Sequence, residues 1–258
     1  MITCPICGYN AKFLSSKTNR FGDKYEYFIC TRCRFLFEQD LSLNSTRLEN
    51  KVSKIYQDDY FQRIDSGWEM RGDAFIKIVK KVIRIFSFFK IRKNPSVLDY
   101  GGGNGYIASK LAENFSVFYY DKYEKPSIRG NYRILDGLVK ADIIYAVELV
   151  EHITDIKEWD FLKKLSPSVF IFTTGLSDNI KDKEIINWSY LDSDAGHMAL
   201  YSTESLYLLG KKYGFIYIFF PNISCHIFLK NKFLSNYNFV KLEYFIYSFF
   251  RKIKYLFK

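Results

Sequence analysis

The chain has 258 residues, of which 48% are hydrophobic and 19% aromatic, enough for one full α/β domain with a small accessory unit. Its net charge of +10 is unevenly placed: residues 227–258 hold seven Lys or Arg and one Glu, so the remainder carries only +4, which argues against a core laid along a phosphate backbone. No stretch approaches the ~18 apolar residues that a membrane-spanning helix needs. The first residues lead straight into a cysteine motif, without the basic start and apolar core of a secretion signal, so a cytoplasmic location is expected.

Residues 1–40 read as one small unit. Cys4-Pro5-Ile6-Cys7 and Cys30-Thr31-Arg32-Cys33 are two C-x-x-C pairs separated by 22 residues. Four thiolates on two knuckles can close a tetrahedral zinc site, and a reducing compartment disfavours disulfides. Phe13, Tyr25, Tyr27 and Phe28 between the pairs suit the short strands of a zinc ribbon. The interval is slightly longer than the common one, and Arg34 stands where the first knuckle has Gly8. Redox cysteines, or a site that has lost its metal, are the alternatives. Zinc of this kind is structural, because a closed site leaves no coordination position for chemistry. Cys225 reads as a buried strand residue without a role.

Residues 41–92 form a helical connector or cap. Within 69–90, Phe75, Ile78, Val79, Val82, Ile83 and Phe88 recur at the spacing of a helix lying on a sheet. Tyr56 and Tyr60 precede it, either as ordinary packing residues or as aromatics of a lid.

The central domain, 93–230, opens on Ser96-Val97-Leu98-Asp99-Tyr100-Gly101-Gly102-Gly103-Asn104-Gly105-Tyr106. Val97 and Leu98 predict a short buried strand, the glycines a sharp turn, and Ile107, Leu111 and Ala112 a helix over 105–115. Strand, glycine turn and helix start together make a nucleotide-type site, where backbone can approach a ligand closely. Gly101, Gly103 and Gly105 alternate, unlike the wider G-x-G-x-x-G of dinucleotide enzymes. Asp99 closes the strand, and Asp121 ends the next apolar run 22 residues on, near the distance expected of a ribose-hydroxyl acceptor. In these residues the chain resembles the Rossmann-like (class I) S-adenosylmethionine-dependent methyltransferases, whose first motif has the form D-x-G-x-G-x-G. The resemblance implies that Asp99, Tyr100, Gly101, Gly103 and Gly105 bind S-adenosylmethionine, with Asp121 as the ribose-binding acid.

Further along, 132–136 predicts a third strand, where the resemblance makes Asp136 a reader of the adenine amine. Residues 141–147 form the clearest remaining strand. Glu148-Leu149-Val150-Glu151-His152 follows, an E-x-x-E-H signature that again resembles this family and places Glu148 and His152 at the carboxyl edge of the sheet, where ligands gather. Residues 168–174, 215–220 and 225–230 read as strands five to seven, the last two joined through a Pro-Asn turn into an antiparallel hairpin. The expected fold is therefore α/β, a Rossmann-like seven-stranded sheet with its last strand antiparallel.

The loop over 173–201 carries Trp188, Tyr190, Asp192, Asp194, Gly196, His197 and Tyr201 where an α/β enzyme normally places substrate. Its W-x-Y…G-H-x-x-x-Y-S pattern resembles zinc-ribbon methyltransferases of sugar and surface-polysaccharide biosynthesis. His197 is the expected base for an acceptor hydroxyl and His152 the second choice, while Glu148 holds the cofactor or orients a neighbour.

Residues 231–258 form a basic tail in which Phe239, Leu242, Phe245, Ile246, Phe249, Phe250 and Ile253 share one helical face. Such a helix can pack on its own domain, on another chain or on an anionic membrane surface, which would make the protein peripheral at the inner face of a membrane. The activity implied is methyl transfer from S-adenosylmethionine to a small-molecule or glycan acceptor, such as a hydroxyl of a nucleotide-linked sugar or a capsule substituent. Ribosomal RNA methylation competes with it, because some such enzymes also begin with a zinc ribbon; a non-catalytic scaffold is the other alternative. The weakly basic core argues against the first, and the intact glycine motif with Asp121 against the second. The oligomeric state is left open.

Overall fold

A computed structural model describes residues 2–43, 46–55, 68–88, 94–178, 180–181, 184–221 and 224–231. Tyr56, Tyr60 and the basic tail beyond residue 231 lie outside them. Strands β1 (Ala11–Thr18), β2 (Lys24–Cys30) and β3 (Leu36–Glu38) pair antiparallel in chain order. Two short helices, α1 (Asp40–Leu43) and α2 (Thr46–Ser53), come next. The connector helix is α3 (Trp68–Phe88), and it buries Phe75, Ile78, Val79, Val82 and Ile83, five of the six residues its periodicity singles out; the side chain of the sixth, Phe88, lies outside the described ones.

The rest of the chain alternates as an α/β unit. It runs β4 (Val97–Tyr100), α4 (Tyr106–Ala112), β5 (Val117–Tyr120), β6 (Arg133–Ile134), β7 (Ile143–Val147), α5 (Phe161–Leu165), β8 (Val169–Thr173), β9 (Ala199–Leu200), α6 (Thr203–Lys212), β10 (Phe215–Phe220) and β11 (Cys225–Lys230). Seven strands form one sheet in the order β10-β11-β8-β7-β4-β5-β6. β6, β5, β4, β7 and β8 are parallel, and β11 lies antiparallel between β8 and β10, as the Rossmann-like reading expects. The third strand is shorter than the sequence predicts: β6 spans Arg133–Ile134, and after the Leu135 amide bonds the Tyr119 carbonyl the chain leaves the sheet.

Parallel strands covered on both faces are apolar at every position, and successive side chains go to opposite layers. Val97, Ile143, Tyr145, Val169 and Ile171 meet α3 and α4, while Leu98, Ile144, Ala146, Phe170 and Phe172 face the other way. That second layer centres on Trp159, whose ring lies edge-on to Phe170, Phe172 and Tyr201 at centroid distances of 6.2, 6.0 and 5.8 Å. It continues without a break into Phe35, Leu36 and Phe37 of the N-terminal sheet. The reason is β9, a two-residue strand inside the loop expected to be irregular. It pairs Leu200 with Leu36 and Ala199 with Phe37, completing a four-stranded sheet β1-β2-β3-β9. Among the described residues, no helix is long and apolar enough to cross a membrane.

Candidate active site

At the end of β4 the chain reverses at Gly101, whose φ of +75° is costly for other residues and where a Cβ would come within 2.6 Å of the Leu149 side chain. Gly105 has φ +83°, and a Cβ there would strike the Tyr132 hydroxyl at 2.6 Å and Pro126 at 2.8 Å. Packing against that loop requires this glycine, and Gly105 does not line the cavity. Gly103 donates its amide to Asp121 Oδ2 at 2.9 Å. Asp121 Oδ1 takes the amides of Tyr123 and Glu124 at 2.8 and 2.9 Å, so the acid is fixed against the glycine loop. A carboxylate offers about four acceptor sites, which leaves room for one further donor.

Asp99 is buried beside this loop, and its Oδ2 has no protein partner. Burial pushes its carboxyl up to about 7; Tyr145 opposes the shift and the Asp121 charge adds to it. Asp99, Tyr100, Gly101, Gly103 and Asp121 line one end of a cavity of about 590 Å³, within the usual range of small-ligand sites. Its other end is lined by Glu148, His152, Tyr190 and His197.

This second end is built from two segments. Glu148 follows β7 with φ +46°, an unfavourable conformation costing ~1–3 kcal/mol, and its amide is held by Thr173 Oγ1 at 3.0 Å. The Tyr190 hydroxyl lies 2.8 Å from Glu148 Oε2 and 2.5 Å from Glu151 Oε1. A phenol has one proton to give, so the second contact needs a proton from a carboxyl. Burial, then the Glu148 charge, indeed holds Glu151 well above the ordinary carboxyl range. His152 Nδ1 lies 3.1 Å from the Gly196 carbonyl and His197 Nδ1 2.6 Å from the Tyr190 carbonyl, with the two rings edge to face at 4.8 Å. Burial pushes both imidazoles below their ordinary range, so both are neutral at pH 7. A neutral ring that gives its Nδ1 proton to a carbonyl carries its lone pair on Nε2.

The loop holding His197 is pinned from several sides. The Met198 amide bonds the Glu151 carbonyl at 2.8 Å, and the Tyr27 hydroxyl of β2 reaches the His197 carbonyl at 3.1 Å. The structure thus brings Asp99, Tyr100, Gly101, Gly103, Asp121, Glu148, His152 and His197 to one cavity. It does not bring Asp136, which is exposed beyond β6 and away from the lining. Sequence reasoning gave no role to Tyr190, Glu151 or Arg71 of α3. Glu151 and Tyr190 did carry a signal, the first in its place beside His152 in the E-x-x-E-H run and the second in the W-x-Y pattern of its loop.

The four N-terminal cysteines also converge. Cys4 and Cys33 sulfurs are 3.6 Å apart, Cys7 and Cys30 sulfurs 3.4 Å apart, and all four lie within 4.8 Å of one another with none in a disulfide. Zinc–thiolate bonds of ~2.3 Å place tetrahedral sulfurs ~3.8 Å apart, so the set fits that ion. Arg34, in the position of Gly8, takes the same left-handed turn (φ +55° against +74°), and both amides close their knuckles on the first cysteine's carbonyl.

Residues 70–218, more than half of the chain, match the family described as "Methyltransferase domain". Among solved structures, the plantazolicin methyltransferase BpumL in complex with SAH is 14% identical with a TM-score of 0.49, over 72% of this chain and 97% of that one. The magnesium protoporphyrin IX methyltransferase ChlM from Synechocystis, with bound SAH, is 14% identical with a TM-score of 0.43, over 73% of this chain and 96% of that one. CalO1, a methyltransferase in calicheamicin biosynthesis, is 11% identical with a TM-score of 0.39, over 74% and 72%. No protein of curated function matches the chain.

Proposed function

The chain belongs to the methyltransferase-domain family, and we propose that it moves the methyl group of S-adenosylmethionine to a hydroxyl of a small-molecule or glycan acceptor, such as a nucleotide-linked sugar or a capsule substituent. The observation that carries this reading is one continuous cavity running from the glycine loop to the His152–His197 pair. Its lining favours a cationic cofactor. Asp99, Asp121, Glu124, Glu148, Glu158 and Asp192 face only Arg71 and Lys122 there, and the unpartnered Asp99 oxygen offers a positive group a counterion. Asp121 keeps an acceptor site for a ribose hydroxyl. The same acidity disfavours a phosphate backbone inside the cavity, so a sugar would enter by its hydroxyl end and leave any phosphate outside.

Methyl transfer needs acceptor oxygen, methyl carbon and sulfur in line, and positioning supplies most of the acceleration. The acceptor O–H breaks, a C–O bond forms as the C–S bond breaks, and the electron pair stays on sulfur. His197 first and His152 second serve the deprotonation. The four cysteines hold a structural zinc that takes no part in the chemistry. The test is mass spectrometry of a nucleotide-sugar and glycan pool incubated with the protein and labelled S-adenosylmethionine. One added methyl on a sugar hydroxyl supports the reading, and label found only in RNA sinks it. His197→Ala should keep cofactor affinity and lose at least ~100-fold in turnover.

A further inference from the structure

A second space opens off the acceptor end of the cavity. It is a groove of about 480 Å³ between Lys17 and Thr18, at the end of β1, and residues 186–189 and 191–194 of the loop after β8. Ser189 and Asp192 line both the groove and the main cavity, so the two spaces meet there. The His197 amide bonds the Asp192 carbonyl at 2.9 Å, which puts the junction beside that imidazole. Two hydrogen bonds from the N-terminal unit fix the walls of the groove to each other. Lys17 Nζ donates to the Leu191 carbonyl at 2.5 Å, and the Arg20 amide donates to Asp194 Oδ1 at 2.6 Å.

The lining is polar, with one large ring. Asp192 Oδ1 takes the amides of Asp194 and Ala195 at 2.8 and 3.2 Å. This leaves Oδ2 of Asp192 and of Asp194, the Asn187 amide and the Trp188 indole N–H without hydrogen-bond partners among the described residues. Trp188 is half-buried, with its ring 5.3 Å from that of Tyr190. Carboxylate and amide groups can pair with neighbouring hydroxyls, and an aromatic ring can take the C–H face of a pyranose; together they are the chemistry that recognises a sugar. Charge disfavours the other common continuation of an acceptor sugar. Two carboxylates outweigh Lys17, whose ammonium already sits on a carbonyl, so a diphosphate would be repelled here.

We propose that this groove is a subsite for the second sugar unit of the acceptor, so that the methylated unit is the end of an uncharged oligosaccharide and not a sugar on a nucleotide. The main cavity holds the cofactor and the reacting unit, and a glycan leaving it past Ser189 and Asp192 enters the groove. The N-terminal unit thereby takes part in acceptor recognition, with Lys17 and Thr18 forming one wall. The fate of the end unit rests on the methyl-transfer reading, whereas the ligand class of the groove does not.

The experiment titrates the full chain, in the presence of S-adenosylhomocysteine, with glucose, galactose, N-acetylglucosamine and N-acetylgalactosamine. Each is offered as its methyl glycoside, as the end unit of disaccharides and as the UDP-linked sugar, and binding is followed by ligand-observed NMR. The expected result is a disaccharide that binds at least ~tenfold tighter than its methyl glycoside and its UDP-linked form. Trp188→Ala should remove that advantage, and Asn187→Ala, at an exposed position, should lower it by ~3–10-fold. Glu204→Gln, exposed at the start of α6, should leave it unchanged. S-adenosylhomocysteine affinity is measured in the same samples and should be equal in all of them. The subsite is overturned by a UDP-linked sugar that binds as tightly as the disaccharide, by an advantage that survives both Trp188→Ala and Asn187→Ala, or by protein that binds S-adenosylhomocysteine and no disaccharide. Protein that shows the Trp188-dependent advantage and binds no S-adenosylhomocysteine keeps the subsite and overturns the methyl-transfer reading.

Discussion

Tyr201 donates its hydroxyl to the Val150 carbonyl at 2.9 Å, and this bond ties the loop after β8 to the turn that carries Glu148, Glu151 and His152. The same oxygen accepts from Trp159 Nε1 at 3.1 Å, and the ring packs on Phe35 of the N-terminal unit at 5.1 Å. Tyr201→Phe would leave a buried indole N–H and a buried carbonyl without their partner, at a cost of ~1–3 kcal/mol. The urea midpoint should fall accordingly. Turnover should fall too, because both histidines hang on the two segments joined here, whereas the glycine loop does not depend on this bond. An equal loss of S-adenosylmethionine affinity would contradict that division.

Asp99 makes binding depend on pH. Its carboxyl is pushed up to about 7 from the ordinary 3.8, so between those values the folded chain holds a proton that the unfolded chain has lost. Stability therefore falls as pH rises from 4 to 7 and is flat above, as far as this group decides it. Burial likewise lifts Glu38 of β3 to about 7, so Asp99→Asn should reduce the slope without removing it. A cationic cofactor prefers the ionised form. S-adenosylmethionine affinity should rise with pH up to 7, by as much as ~tenfold per unit below it, with proton release on binding. Titration calorimetry in buffers of different ionisation enthalpy reads both, and Asp99→Asn should make the affinity pH-independent over this range.

Legibility followed locality. Gly101 could be read from sequence because its φ of +75° is a demand made by the turn itself, and the cysteine knuckles because each is closed by one short segment. The face of α3 was legible because its periodicity is that of the element it forms. β9 was not: a two-residue strand is specified by Leu36 and Phe37, which lie far away in the chain, and nothing in Ala199–Leu200 announces them. Tyr190 was legible as one of the functional side chains of its loop but its partners were not, since its hydroxyl finds Glu148 and Glu151 only after the loop is folded. Asp136 shows the converse. A plausible residue type at a plausible position is carried outward because β6 ends at Ile134.

Gly101→Ala should separate cofactor binding from folding of the acceptor end. The new methyl group would meet Leu149 at 2.6 Å and the residue would have to hold a positive φ, so the loop must shift. S-adenosylmethionine affinity should drop by at least ~tenfold, a loss of ~1.4 kcal/mol. Leu149→Ala in the same chain relieves the contact but not the backbone strain, so it should restore affinity only in part. Full affinity in the single variant would show that this turn does not approach the ligand.

Removal of the zinc proposed for the four cysteines should act at a distance, through β9. The N-terminal sheet holds the acceptor loop by the β3–β9 pairing, by the Glu38 amide on the Met198 carbonyl at 2.9 Å, and by Ser202 Oγ on the Cys33 carbonyl at 2.5 Å. With the cysteines unligated, the knuckles that position Cys33 and Phe35 lose their cross-link, and the segment from His197 to Ser202 loses its template. Chelation, or Cys33→Ser, should therefore lower turnover more than it lowers S-adenosylmethionine affinity, because Asp99, Gly103 and Asp121 sit on strands and loops of the other sheet. Amide hydrogen exchange gives the direct readout, with Met198 to Tyr201 expected to lose protection before Val97 to Tyr100. Equal loss of protection in both stretches would mean that the cysteine site supports the fold as a whole and has no particular hold on the acceptor loop.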